Sequence, residues 1–297
     1  MRIFVTGASG FIGSAVVREL LGAGHQVLGM VRSDAGAAAV AAAGAEVHRG
    51  NLDDLDSLRR GAAKADVVIH TAFVHDAVNA GSGRASFQDA CDIDARAIEA
   101  LGSALVGSNR HLLVTSGTPG VGGHVATEED ASPRTFPRVS EQTALPFAER
   151  GVRVALVRMP RCVHAPGGPY GFGTAMIGVA AKAGVSAYVG EGAHRWCAVH
   201  VNDAARLYAM VVDKGVTGAV HAVGEEGIPQ RTIADAIGKR LNVPVVSKSP
   251  AEAATHFGTF AMFAQLDSPA SSERTRERLG WTATGTGLIA DIGVIKP

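Results

Sequence analysis

The chain has 297 residues, 46% of them hydrophobic and 19% charged, which is enough apolar material for a sizeable core and argues against disorder. Lys plus Arg and Asp plus Glu balance at 28 each, so no overall field favours nucleic acid or an anionic membrane surface. A small-molecule ligand is the expected partner. Three scattered cysteines, Cys91, Cys162 and Cys197, form neither a disulfide framework nor a Cys-x-x-Cys pair, and read as buried or idle thiols. The first residues enter a strand without a basic-then-apolar leader, and no run of about 18 uncharged apolar residues offers a membrane span. The expected compartment is the cytoplasm.

Over the first 160 residues, short apolar runs alternate with helical patterns, as in a parallel α/β sheet. Strands are predicted at Arg2–Thr6, Gln26–Val31, Glu46–Arg49, Asp66–His70, His111–Thr115 and Val152–Arg158. The first helix carries a stripe of Ile12, Val16 and Leu20 flanked by Val17 and Leu21. Ala35–Ala43 reads as a short surface helix and Ala85–Val106 as a longer one. After Pro160 the rhythm changes, with a Gly- and Pro-rich stretch over Ala165–Gly173. Thr232 is predicted to cap a helix running to Leu241, and Ser271 or Ser272 one ending at Leu279.

Glycines at 7, 10 and 13 follow the first strand and open the first helix. Gly7 permits the tight turn, Gly10 lets backbone N–H groups approach a pyrophosphate, and Gly13 lets the helix pack on the sheet. Ser9, Phe11 and Ile12 share that loop. A carboxylate ending the second strand would select NAD(H) through the ribose 2′-hydroxyl. Here Arg32 and Ser33 stand there, suited to a 2′-phosphate, although Asp34 follows and has the chemistry to turn inward. The expected cofactor is NADP(H), ahead of NAD(H). The fold expected is a Rossmann-type, doubly wound parallel α/β sheet over residues 1–160. A small substrate-binding lobe over 161–297 interleaves with the last strands.

The motif TGASGFIG, the Gly50-Asn51-Leu52-Asp53 step, and Val-Ile-His-Thr-Ala-Phe at 68–73 resemble the extended short-chain dehydrogenase/reductase superfamily. So do Val-Arg-Met-Pro-Arg-Cys-Val-His at 157–164, Val-His-Val-Asn-Asp-Ala-Ala at 199–205 and Leu-Gly-Trp at 279–281. The resemblance covers nearly the whole chain. It implies that Asn51 and Leu52 flank adenine, that Thr71, Ala72 and Phe73 line the path to nicotinamide, that Pro160 to Val163 border it, and that Thr115 also contacts the cofactor. It also implies a homodimer through the fourth and fifth helices.

In that superfamily a Tyr-x-x-x-Lys on the fifth helix moves the proton, the lysine lowering the tyrosine pKa. Here the first tyrosine is Tyr170, and no lysine lies between Lys64 and Lys182. Matching the helix by Ser-Glu-Gln-Thr-Ala-Leu puts Pro137 at the tyrosine and Glu141 at the lysine, with Glu141 expected on the surface paired to Arg138. The chain therefore resembles atypical members that lack the pair. Ser116 is either the substrate-polarising hydroxyl or a turn residue, and His164 either a proton donor or a structural histidine. His75, Tyr170, His194, Arg195, Trp196 and His200 are expected at the pocket mouth, where Arg195-Trp196 is either a clamp for an anionic or flat substrate or, for Trp196, simply core. His70 is expected to line the cofactor cleft, and no metal spacing is evident. The expected activity is NADP(H)-dependent reduction of a small carbonyl or unsaturated compound. A non-enzymatic NADP(H)-binding regulator and a non-redox lyase or isomerase are the alternatives.

Overall fold

The structure, a computed structural model, describes residues 1–74, 87–120, 122–133 and 136–294. The chain begins β1 (Arg2–Thr6), α1 (Phe11–Gly22), β2 (Gln26–Val31), α2 (Asp34–Ala42), β3 (Glu46–Arg49) and α3 (Leu55–Ala63). It continues with β4 (Val67–His70), α4 (Phe87–Ser103), β5 (His111–Gly117), α5 (Ser140–Ala144) and β6 (Arg153–Met159). Then come β7 (Cys162–His164), α6 (Phe172–Ala183), β8 (Ser186–Val189), β9 (Arg195–His200), α7 (Val201–Lys214) and β10 (Gly218–His221). The last elements are β11 (Glu225–Pro229), α8 (Gln230–Leu241), β12 (Val245–Lys248), α9 (Pro250–Phe257), α10 (Ala261–Ala264), α11 (Glu273–Leu279) and α12 (Leu288–Ile292).

Contacts divide the chain into two units. Unit 1 comprises Met1–Ser116, Pro133–Arg158 and Ala205–Val220; unit 2 comprises Gly117–Ser132, Met159–Ala204 and His221–Pro297. Unit 1 carries a seven-stranded sheet ordered β10-β6-β5-β4-β1-β2-β3. The pairings of β1 with β2 and β4, of β2 with β3 and of β4 with β5 are parallel. Ile3, Phe4, Val5 and Thr6 are wholly buried, as a central strand covered on both faces requires. The Val16, Val17 and Leu20 stripe of α1 is buried as well. The chain leaves β1 toward β2 on one side and returns to β4 on the other. That reversal makes the carboxyl end of β1 the switch point where open α/β sheets bind ligands.

Unit 2 holds a three-stranded sheet, β11-β9-β7, and a parallel pair, β12 with β8. Helix α8 starts two residues before the predicted cap, because Pro229 ends β11 with a φ of −59° that leads directly into it; Thr232 lies inside the helix. At α11 the Ser271 hydroxyl accepts from the Glu273 N–H at 3.2 Å, while Ser272 donates to the Val223 carbonyl. The three cysteines are free and buried. Among the described residues no helix is long and apolar enough to cross a membrane.

Candidate active site

The glycine loop in unit 1 is built for close approach. Gly7 has φ +70°, and a Cβ there would meet the Ala72 backbone at 2.9 Å. A Cβ on Gly13 would lie 2.0 Å from the Gly7 carbonyl oxygen, so α1 can sit on the loop only with glycine there. The loop is tied to the end of β4: Thr71 Oγ1 donates to the Thr6 carbonyl at 2.7 Å, and the Ala72 N–H donates to Thr6 Oγ1 at 3.3 Å. Gly10 caps α1 with no side-chain hydrogen bond, which leaves the helix-end amides to an anion. Ser9 lies against the start of α2, within 3.0 Å of a Cβ built on Gly36. These features fit a dinucleotide pyrophosphate.

At the end of β2, Arg32 and Ser33 are exposed, and Ser33 Oγ caps α2 by accepting the Gly36 N–H. Asp34 pairs with Arg49 at 2.5 Å. The Asn51 side-chain oxygen accepts from the N–H groups of Asp53 and Asp54, holding the turn into α3, while Leu52 belongs to the unit's core. A separate hollow of about 380 Å³ lies at the opposite, amino ends of β6 and β10, lined by Asn109, Leu145, Val152 and Arg153. Its guanidinium already donates to the Gly215 carbonyl, and we place no chemistry there.

Two buried polar networks flank the carboxyl ends of β4 and β5. In one, the ring of fully buried His70 meets Thr6 Oγ1 at 2.8 Å and Asp94 Oδ1 at 3.1 Å. Asp94 Oδ2 accepts from Ser140 Oγ at 2.5 Å and lies 3.6 Å from Arg138 Nε. Burial pushes the Asp94 carboxyl upward, but Arg138, His70 and Ser140 outweigh it and hold the group below its ordinary range. Arg138 also donates to the Thr115 carbonyl at 2.9 Å and stacks 4.4 Å over the Phe73 ring. Thr115 Oγ1 donates to the His70 carbonyl and meets the Tyr208 hydroxyl at 2.5 Å. His70 is therefore a network residue rather than a cleft-lining one.

In the other network, Ser116 Oγ donates to Glu141 Oε1 at 2.6 Å. Arg158 grips the same carboxylate bidentately, Nε to Oε1 and Nη2 to Oε2, both at 2.8 Å. This corrects the expectation for Glu141, which is buried and paired with Arg158, not on the surface with Arg138. The signal for it lay in β6: Arg158, buried between the apolar Val157 and Met159, demands a buried carboxylate.

The remaining candidates lie in unit 2. His164 is fully buried on β7, its Nδ1 2.7 Å from Asp291 Oδ2 and its ring 5.8 Å from that of His200. Tyr170 donates to the Asp291 main-chain carbonyl at 3.2 Å, and Thr286 donates to Asp291 Oδ1. The cluster joins β7 to α12 and buries the His164 ring completely, an arrangement that suits the structural reading of His164. The Arg195-Trp196 clamp is also corrected. Successive strand residues point to opposite faces. Arg195 is held bidentately by Asp267, at 3.2 Å through Nε and 2.9 Å through Nη2, while wholly buried Trp196 donates to the Leu266 carbonyl. Pro160 and Val163 are buried, and His75 lies outside the described residues.

The model of the "NAD dependent epimerase/dehydratase family" matches residues 3–224. Two yeast proteins are similar along nearly their whole length, each match covering 98% of both chains. Uncharacterized protein C2A9.02 of Schizosaccharomyces pombe is 48% identical, and uncharacterized protein YLL056C of Saccharomyces cerevisiae 44%. A segment of 72 residues, 24% of this chain and 22% of the relative, is 40% identical to a farnesyl-dihydroquinoline-oxide ketoreductase of Stigmatella aurantiaca. Among solved structures, gox2253 superposes with a TM-score of 0.75 at 20% identity, covering 98% of this chain and 96% of that one. The dTDP-glucose 4,6-dehydratase DesIV of Streptomyces venezuelae, with NAD and TYD bound, gives 0.73 at 19% with the same coverage. At such identities these structures share the fold.

Proposed function

This chain belongs to the NAD-dependent epimerase/dehydratase family, and we propose that it is an NADP(H)-dependent oxidoreductase interconverting a hydroxyl and a carbonyl on a small molecule. The glycine cradle and the uncapped end of α1 would hold the pyrophosphate. Arg32 and Ser33 suit a 2′-phosphate. Asp34, the carboxylate able to select an unmodified ribose, is engaged by Arg49, which favours NADP(H) over NAD(H). Thr71, Ala72 and Phe73 continue from the loop along the cofactor path. A bound nicotinamide supplies or takes up hydride at C4.

The observation that carries the reading is the Ser116–Glu141–Arg158 chain. In alcohol oxidation the substrate hydroxyl gives its proton to Ser116 Oγ as the Ser116 proton passes to the Glu141 carboxylate. In carbonyl reduction the same protons run back, from Glu141 to Ser116 and from Ser116 to the new alkoxide. Arg158 aims Glu141 at Ser116 and balances its charge in the buried site. Such acid–base assistance is worth about 10²–10⁴-fold, and it substitutes for the absent Tyr/Lys pair. The reductive direction agrees with the ketoreductase name of the partial relative.

The test is titration with NADPH and NADH, followed by turnover against a panel of ketones and their alcohols. Saturable binding favouring NADPH is expected, with turnover that Ser116→Ala lowers by about 10²-fold or more. Cofactor binding without turnover on any pair would mark a regulator. Product formed with no change in nicotinamide absorbance would mark a lyase or isomerase. Either outcome overturns the proposal.

A further inference from the structure

Arg161 precedes β7 in unit 2, and its guanidinium is half-buried with no counter-charge among the described residues. Its Nε–H donates to Ser268 Oγ at 3.2 Å. Among the described residues, no carboxylate oxygen lies within 4 Å of it and its Nη1 and Nη2 hydrogens meet no acceptor. The neighbouring sulfurs do not neutralise it: burial pushes the Cys162 thiol up to about 12 and raises Cys197 too, so both stay protonated. Burial likewise works against the charged form of Arg161, yet an arginine does not give up its proton in a protein. A cation partly withdrawn from water and unpaired is costly unless something else pairs with it. Arg195, in the same unit, makes the contrast, since Asp267 already satisfies it.

What surrounds the free end of Arg161 is apolar and flat. The half-exposed Phe172 ring lies 5.8 Å from Arg161 Cζ. It is braced by Phe263 at 4.7 Å, Phe260 at 5.3 Å and Trp196 at 6.0 Å. The chain is bent to put that ring there. Gly171 has φ +58° and ψ −128°, a conformation that favours glycine, and a Cβ on it would strike the Arg161 carbonyl oxygen at 2.6 Å. That carbonyl accepts the Phe172 N–H at 3.0 Å. On the guanidinium's other side stands Gly120, whose Cβ position is 3.5 Å from Nη2 and 3.6 Å from Leu266 Cδ1.

We propose that Arg161, Phe172 and Leu266 form the substrate-recognition site of unit 2, and that its ligand is an organic carboxylate with a flat apolar body. The planar Nη1/Nη2 edge matches a carboxylate bidentately, and the body lies on Phe172 and Leu266. A phosphate would find one guanidinium and one hydroxyl beside an apolar wall, too few donors for its charge. That the ligand is a substrate rests on the oxidoreductase reading above; that it binds here does not.

The test therefore leaves out the nicotinamide. Benzoate, the isosteric neutral benzamide and inorganic phosphate are titrated into the full chain, and Trp196 emission reports events on the Phe172 ring it touches. Benzoate is expected to bind about tenfold or more tightly than benzamide, with phosphate no better than benzamide. Arg161→Gln should bring the benzoate-to-benzamide ratio to about one, and Arg161→Lys should keep a reduced preference, charge without the fork. The melting temperature of ligand-free Arg161→Gln should not fall below that of the parent, because the substitution relieves an unpaired cation. Phe172→Leu should weaken benzoate and benzamide alike. Equal binding of benzoate and benzamide to the parent, an unchanged ratio in Arg161→Gln, or phosphate matching benzoate would each overturn the proposal. Loss of turnover with the benzoate preference intact would instead refute the oxidoreductase reading alone.

Discussion

Replacing Arg158 with methionine tests the buried ion pair on which the proton route depends. The Arg158 and Glu141 side chains are 4% and 5% exposed, and the guanidinium supplies two of the three hydrogen bonds described above for that carboxylate. Removing it leaves a buried carboxylate with Ser116 as its described partner, a loss of about 3–5 kcal/mol for breaking one half of such a pair. At about 2–4 °C per kcal/mol for a protein of this size class, the melting temperature should fall by roughly 6–20 °C. Adding Glu141→Leu to Arg158→Met removes both charges, and most of the loss should return. Calorimetry of the parent, the single variants and the double variant measures this. A single variant melting with the parent, or a double variant no better than the single, would refute the reasoning.

Three further outcomes follow from other parts of unit 1. Gly13→Val should abolish NADPH binding, because its Cβ would fall 2.0 Å from the Gly7 carbonyl oxygen; fluorescence titration reads this. Arg32→Ala should weaken NADPH by about tenfold while leaving NADH nearly unchanged, and equal weakening of both would remove the 2′-phosphate assignment. His111 is buried at the start of β5 near Arg153, and burial first, then that charge, lowers its pKa to about 4. The unfolded chain binds this proton at about 6.5 and the folded chain only near 4, so His111 costs stability progressively as pH falls through that window, up to about 3 kcal/mol. Urea denaturation at pH 7.5 and 5 should show the loss, and His111→Asn should flatten it.

The nucleotide half of the fold was legible because its signals are local. Continuous apolar runs mark buried parallel strands, so β1, β2 and β3 fall on their predicted bounds, while β4 begins one residue later and β5 runs two residues further. The glycine spacing likewise states its own geometry. The chemistry past β5 was not legible in the same way. Ser116 was readable as a candidate by its place after the strand, but its Glu141 partner lies 25 residues on. Arg158 was an overlooked clue, a charge in a strand with no polar face to receive it. His164 and Asp291 are 127 residues apart, and no local pattern joins them. Arg195 and Trp196 are neighbours in sequence, but on a strand they face opposite sides, and Trp196 is core. Arg161 and Phe172, eleven positions apart, meet through the Gly171 bend. In unit 2 the capping box of Ser249 and Glu252 at the start of α9 is a local signal readable from Ser-x-x-Glu.

In the proposed proton route Glu141 is the acceptor behind Ser116. Once a turned-over carbonyl/alcohol pair is in hand, the direct measurement is kcat of Glu141→Gln beside its Kd for NADPH. Glutamine keeps the shape and can still meet Ser116, but it cannot take the proton. The expected result is a fall in kcat of about 10²–10⁴-fold with NADPH affinity within about twofold of the parent. An unchanged kcat would show that Glu141 does not take the proton.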